Sequence, residues 1–117
     1  MEELKLKSRV LLKEATIDLE VGCYNKAVSA AYFAVRLYAE SLLKLRTRKD
    51  DKIANAVARA LSGRHPEKAN EARVKFLELF EARKIADHRP RVLSKSEAEY
   101  WVSEAKALMS ALKLIGE

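Results

Sequence analysis

The stretch Glu81–Arg91, EARKIADHRPR, contains an arginine and a histidine, Arg83 and His88, with four residues between them. An arginine guanidinium can hold a phosphate through two parallel hydrogen bonds, and an imidazole can give or take a proton near neutral pH. Together these side chains have the chemistry needed to bind a phosphodiester and act on it. Spacing alone does not single them out, because Arg59 and His65 lie at a comparable separation.

The helical pattern around Arg83 places it on an inward-facing stripe. At 100° per residue, Arg83 and Asp87 lie within about 20° of Phe76. An inward charge is costly unless it is paired or solvated, so two interpretations are open. Asp87 and Arg83 form a salt bridge that closes the bundle, or a cleft presents Arg83 to a phosphate. His88 points about 120° from Phe76, so it joins Arg83 only if the helix distorts or a second subunit supplies one group.

The elements that carry these residues are all predicted to be helices. Apolar residues recur at three- and four-residue spacing in five segments, and no alternating β-branched run occurs. We expect an all-α domain over residues 1–117, an antiparallel up-and-down bundle of four long helices plus one short helix. The predicted helices are about Glu3–Glu20, Tyr24–Arg46, Asp51–Leu61 and Pro66–His88, with a last helix that begins after Ser94.

Local signals mark the ends of these helices. Gly22 offers the left-handed conformation that a helix end favours. Pro66 stands at a first helical position, where its missing N–H costs nothing. Pro90 disfavours helical geometry at the residue before it. Ser94 and Glu97 have the spacing of a capping box, which predicts the start of the last helix.

The predicted second helix is apolar over most of its girth. Only a narrow polar strip interrupts it, formed by Lys26, Ser29, Arg36, Glu40 and Lys44. Such a helix has neighbours on more than one side. It is therefore either the central helix of the bundle or a helix that also faces a second subunit.

Composition limits the kinds of partner and site. The net charge of +6 permits an anionic partner without requiring one. The single cysteine, Cys23, favours a reducing compartment, and no signal peptide or membrane-length apolar run is visible. We therefore expect a cytoplasmic protein with no membrane contact. The two histidines and one cysteine show no metal-ligand spacing and no Gly-rich phosphate loop occurs, so neither a metal nor a cofactor is predicted.

Two basic segments are candidates for contact with a nucleic-acid backbone. They comprise Arg46, Arg48 and Lys49 in one turn, and Arg89 with Arg91 in another. Neither segment has the interleaved aromatic residues of a single-strand binder, so solvated turns are the competing interpretation. The abundance of Lys, Arg and Glu, together with the absence of Gln, is typical of a thermophile.

The stretch ATIDLEVGCYNKAVSAAYFAVRLYAESLL, residues 15–43, resembles the first helical hairpin of the HEPN family. The matching positions are Ala15, Asp18, Leu19, Gly22, Tyr24, Ala27, Ala31 to Ala34, Leu42 and Leu43. The resemblance extends through Ala82 to Asp87. Tetratricopeptide helices share the glycine–tyrosine–alanine spacing, but they require several stacked repeats and this chain has one such hairpin.

This resemblance implies a helical bundle that often forms homodimers. Many HEPN proteins are metal-independent ribonucleases whose signature is an arginine, four to six residues, then a histidine. Several are toxins encoded beside a minimal nucleotidyltransferase antitoxin, and others are non-catalytic binding modules. Carried to this sequence, the resemblance implies catalytic Arg83 and His88, a supporting Asp87 and an RNA substrate.

Overall fold

A computed structural model describes residues 2–116, and every regular element in that range is helical. The all-α prediction is therefore confirmed. Five α-helices are followed by a single 3-10 turn, Leu114–Gly116. The helices are α1 (Glu2–Glu20), α2 (Tyr24–Leu43), α3 (Asp50–Ser62), α4 (Pro66–His88) and α5 (Lys95–Lys113).

Three of the predicted helix boundaries, at Gly22, Pro66 and Ser94, are confirmed by the backbone. Gly22 has a φ of 84°, the left-handed region that glycine enters without strain. Pro66 begins α4. Ser94 and Glu97 form a complete capping box, in which the Ser94 hydroxyl accepts from the Glu97 N–H at 3.2 Å and the Glu97 carboxylate accepts from the Ser94 N–H at 3.0 Å. Local chemistry alone therefore fixes where these helices begin and end.

The end of α2 differs from its prediction. The helix stops at Leu43 rather than at Arg46, because Lys44 adopts a left-handed φ of 53° and its N–H bonds to the carbonyl of Glu40. This reversal turns Leu45 back against the core. The apolar spacing of Leu45 fits a continuing helix as well as it fits this reversal, so periodicity alone placed the end too late.

Contacts at the helix ends give the helix directions. The start of α2 meets the end of α4, where Asn25 Nδ2 donates to the Ala86 carbonyl at 3.0 Å. The same Asn25 accepts from the N–H of Leu93, just before α5. Gly116 lies near Leu42 at the other end of α2. Helices α2 and α5 therefore run in one direction, and α4 runs in the opposite direction. Helix α2 folds back along α1 after a three-residue link.

Helix α2 is the central helix of this bundle, because it packs against all four of the others. Small residues allow the close approach: Ala27, Ala31, Ala34 and Ala39 are all fully buried. Tyr32 is the largest fully buried side chain and lies in the main core cluster. Within residues 2–116, none of the helices combines the length and apolar character needed to cross a membrane.

Candidate phosphate-binding site

Arg83 lies on the last turns of α4 against the middle of α2. Its Nε is 2.9 Å from Asp87 Oδ2, one helical turn further along. Its guanidinium carbon is 5.0 Å from the centroid of the Phe33 ring and 5.5 Å from that of Tyr32. An ion pair on one side and two aromatic rings on the other hold the guanidinium in place.

The hydrogen-bond donors of Arg83 are nevertheless unused. The N–H of Nε does not point at the Asp87 carboxylate, so the 2.9 Å contact is an ion pair without a hydrogen bond. Among residues 2–116, no other acceptor takes a hydrogen bond from this guanidinium. The side chain is 23% exposed, so its outer edge reaches solvent. A positioned guanidinium with free donors is suited to binding a carboxylate or a phosphate.

The carboxylate of Asp87 is hydrogen-bonded to α2. Its Oδ2 accepts from the Ser29 hydroxyl at 3.2 Å, and Asn25 donates to the neighbouring backbone carbonyl of Ala86. A groove of about 450 Å³ opens beside these groups, between α1, α2 and the end of α4. Its walls include Leu11, Asp18, Asn25, Lys26, Ser29, Ala30, Phe33, Ala86 and Asp87. Both interpretations of the Arg83–Asp87 pair stand, because the pair closes this end of the bundle and one of its members, Asp87, lines a groove.

His88 is the last residue of α4 and is exposed. It makes no hydrogen bond or ion pair with any described residue, and in particular none with Arg83. The α-helix continues through Ile85 to His88 without a break, so no distortion turns the imidazole toward Arg83. A second subunit therefore remains the route by which the two side chains could act on one phosphate.

The predicted nucleic-acid contacts lie at opposite ends of α2, roughly 30 Å apart for a helix of this length. Arg48, Lys49 and Arg89 are exposed and form no ion pair with any residue in the range 2–116. Arg46 and Arg91 are each paired, with Glu40 and Glu97 respectively. Arg83, on α4, packs against the middle of α2 and so lies between the two basic segments.

A buried polar network on α2 was missed at the level of sequence. Arg36 donates from Nε to Glu40 Oε1 at 3.0 Å, from Nη1 to Asp50 Oδ1 at 3.2 Å, and from Nη2 to the carbonyl of Thr47. Nη1 also reaches the Tyr32 hydroxyl at 3.0 Å, and that hydroxyl donates to Asp50 Oδ2. The four-residue spacing of Tyr32, Arg36 and Glu40 on an apolar helix was the available signal.

Burial and charge in this network shift two pKa values. Burial and the hydrogen bond to Asp50 raise the pKa of the Tyr32 phenol far above its ordinary value. Burial opposes the charge on Arg36, but its contacts with Tyr32, Asp50 and Glu40 outweigh that cost and raise its pKa. The network therefore keeps a neutral phenol and a permanent cation in the middle of the molecule.

Comparison with known families identifies the chain. The HEPN domain family model matches residues 1–115. The chain belongs to the HEPN family. This confirms the resemblance carried by residues 15–43, and it agrees with the helical bundle described above. HEPN domains commonly dimerise. A search of curated proteins gave no match.

Membership in the HEPN family leaves the activity to be argued from the site. Among residues 2–116, no three His, Cys, Asp or Glu side chains cluster as they would around a metal ion. The unused donors of Arg83 and the exposed imidazole of His88 are groups with chemistry suited to an anion. Arg83 and His88 are the two residues to which the HEPN resemblance assigned the arginine–histidine signature.

Proposed function

We propose that this HEPN protein is a metal-independent endoribonuclease that acts as a homodimer, and that it is the toxin of a pair with a minimal nucleotidyltransferase antitoxin. The unused donors of Arg83 carry the proposal. A guanidinium fixed by Asp87 and two aromatic rings, with its outer N–H groups free, suits an RNA phosphate better than it suits a purely structural role.

In this proposal, Arg83 holds the scissile phosphate and stabilises the negative charge that develops on its oxygens. His88 exchanges a proton with the attacking 2′-hydroxyl or with the leaving oxygen. Because the two side chains share no contact within one chain, Arg83 of one subunit works with His88 of the other across a dimer cleft. Asp87 orients Arg83 and takes no part in proton transfer.

The exposed basic residues supply the rest of the RNA contact. Arg48, Lys49 and Arg89 have no competing ion pairs, and Arg46 and Arg91 can exchange theirs for phosphates. Such contacts add affinity that depends strongly on salt and is independent of sequence. RNA binding should therefore weaken as salt rises, and mutation of these residues should reduce that salt dependence.

The deciding experiment measures cleavage of structured RNA by EDTA-treated protein. We expect wild type to cleave and both Arg83→Ala and His88→Ala to lose about a hundredfold or more in rate. Arg83→Lys should recover little, because lysine cannot bind a phosphate bidentately. Arg73→Ala is the matched control, since Arg73 is on the same helix and bonds only to Asn70.

A second candidate is a non-catalytic HEPN module that binds a partner protein or a nucleotide. The contacts of Asp87 with both Arg83 and Ser29 favour it, because a purely structural role in closing the bundle is enough to explain them. Absence of cleavage by wild type, together with a loss of about 3 kcal/mol or more on Arg83→Ala, would decide for this module.

The proposed partner has its own test. The neighbouring reading frame should encode a small nucleotidyltransferase, and that protein should co-purify with the HEPN chain and suppress its cleavage of RNA. A neighbouring frame of another kind, with no co-purifying nucleotidyltransferase, would remove this part of the proposal and leave the ribonuclease test intact. Light scattering at micromolar concentration tests the homodimer, which a monomeric mass would contradict.

A further inference from the structure

Phe33 lines two grooves: the one beside Asp87 described above, and a second one that contains the buried carboxylate of Glu40. The second groove has a volume of about 430 Å³. It is lined by Phe33, Arg36, Leu37, Glu40, Arg46, Thr47 and Arg48. This lining suits a nucleotide. The aromatic ring can stack on a base, the carboxylate can bond to a base edge, and the exposed arginines can contact a phosphate.

Glu40 has one oxygen that is not hydrogen-bonded. Its side chain is only 4% exposed, and Oε1 accepts from Arg36. Oε2 is buried and accepts no hydrogen bond from any described residue. Arg46 Nε lies 2.6 Å from Oε2 as an ion pair, outside hydrogen-bond geometry. Because the Arg46 side chain is 63% exposed, it can swing into solvent and uncover the carboxylate.

We infer that this groove binds an unpaired guanine of the RNA, with Glu40 accepting from its Watson–Crick edge and Phe33 contacting its ring. The inference rests on the proposed RNA-binding role of Arg83 and names the base next to the bound phosphate. Phe33 links the two positions, since its ring lies under the Arg83 guanidinium and also lines the groove.

Guanine fits this carboxylate better than the other three bases do. Its Watson–Crick edge presents two adjacent donors, N1–H and the N2 amino group, which a carboxylate can accept together. Oε2 accepts one of them, and Oε1 accepts the other through the lone pair that Arg36 does not use. The edges of adenine and cytosine pair one amino donor with a ring-nitrogen acceptor, and the single N–H of uracil lies between two carbonyl oxygens. Those acceptors would face Glu40 and repel it.

The two exposed arginines complete the site. When a guanine displaces Arg46 from Glu40, Arg46 loses its ion pair and is free to bind a phosphate. Arg48 has no competing partner among the described residues. Exchange of one anion for another keeps the charge of the groove balanced. Arg46 is thereby both the cover of the empty groove and a phosphate contact of the filled one.

Calorimetric titration with the four nucleoside 5′-monophosphates tests this inference on the full chain. We expect guanosine monophosphate to bind at least about tenfold more tightly than its adenosine, cytidine and uridine counterparts. Glu40→Gln should abolish the preference, because the amide replaces one acceptor by a donor. Arg73→Ala should leave the preference unchanged, because Arg73 lies outside the groove and among the described residues bonds only to Asn70.

Equal affinities for the four nucleotides, no binding of guanosine monophosphate at millimolar concentration, or a preference that survives Glu40→Gln would each overturn the inference. If Glu40→Gln does not fold, Leu37→Glu replaces it. Leu37 is half-buried, lines the groove and belongs to neither core cluster, so its glutamate should repel the nucleotide and leave the fold intact. Since the readout is equilibrium binding, failure here is distinct from a failure to cleave RNA.

Discussion

Arg36 and Arg83 both lie against Tyr32, yet their environments differ. Each has an acidic residue four positions later on its own helix, Glu40 and Asp87. Arg36 uses all three of its nitrogens in hydrogen bonds and is 16% exposed, whereas Arg83 uses none and is 23% exposed. Similar exposure therefore does not separate a structural arginine from one available to a ligand, but the use of its donors does.

The difference originates in what surrounds each helix. The link between α2 and α3 passes over Arg36, so the Thr47 carbonyl of the link and Asp50, the first residue of α3, reach two of its nitrogens. Near Arg83 the neighbouring surface of α2 offers aromatic rings, which attract the cation through their faces but accept no N–H in the plane of the guanidinium. The nitrogens of Arg36 thus all donate to acceptors of the chain, whereas the donors of Arg83 remain available to an external anion.

The largest expected effect is on folding, at Arg36. Arg36→Ala leaves the carboxylates of Glu40 and Asp50 buried without their common cation, and we expect a loss of about 3–5 kcal/mol in the free energy of unfolding. Urea denaturation followed by circular dichroism measures it, with Arg73→Ala as the control, since among the described residues Arg73 bonds only to Asn70. A loss no larger than that of the control would mean that the Arg36 network is not what distinguishes the two regions.

Tyr32 connects the two regions and gives the next effect. Tyr32→Phe removes the hydroxyl between Arg36 and Asp50 and should cost about 1–3 kcal/mol. Because the pKa of Tyr32 is raised above its ordinary 10.0, its contribution is complete below pH 10 and is lost as pH rises further. The stability of wild type should therefore fall more steeply above pH 10 than that of Tyr32→Phe. Parallel pH profiles would contradict this assignment.

Arg83 should matter much less for folding. Arg83→Ala removes a partly solvated ion pair and two cation–π contacts, and we expect a loss of about 1 kcal/mol in stability. The same variant should lose RNA cleavage, so function and stability separate at Arg83 and coincide at Arg36. Thermal and urea denaturation measured beside the cleavage assay test this, and a stability loss as large as that of Arg36→Ala would remove the contrast.

The smallest expected effect is at Ser29. Ser29→Ala removes one hydrogen bond to Asp87 in a solvent-exposed setting, so stability should change by less than about 0.5 kcal/mol. Cleavage should fall only a few-fold, because Asp87 keeps its ion pair with Arg83 and merely holds it less firmly. A loss of cleavage as complete as that of Arg83→Ala would show that Ser29 acts on the RNA itself.

The sequence by itself determined most of the architecture. Gly22, Pro66 and the Ser94–Glu97 box act through the backbone of their own few residues, so they can be recognised without any tertiary contact. The spacing of Arg83 and Asp87 likewise gave their ion pair as one of two interpretations, because residues four apart on a helix are neighbours wherever that helix lies. The family resemblance followed from the combined pattern over residues 15–43, and the family model over residues 1–115 confirmed it.

Only the tertiary structure decided which arginine is saturated. Arg36–Glu40 and Arg83–Asp87 read alike along the chain, since the same spacing puts an acid beside each base. The partners that distinguish them are Thr47, in the link after α2, and Asp50, at the start of α3. Their positions depend on the left-handed turn at Lys44. Periodicity describes one helix at a time, whereas the use of a donor depends on every acceptor that the fold brings within reach.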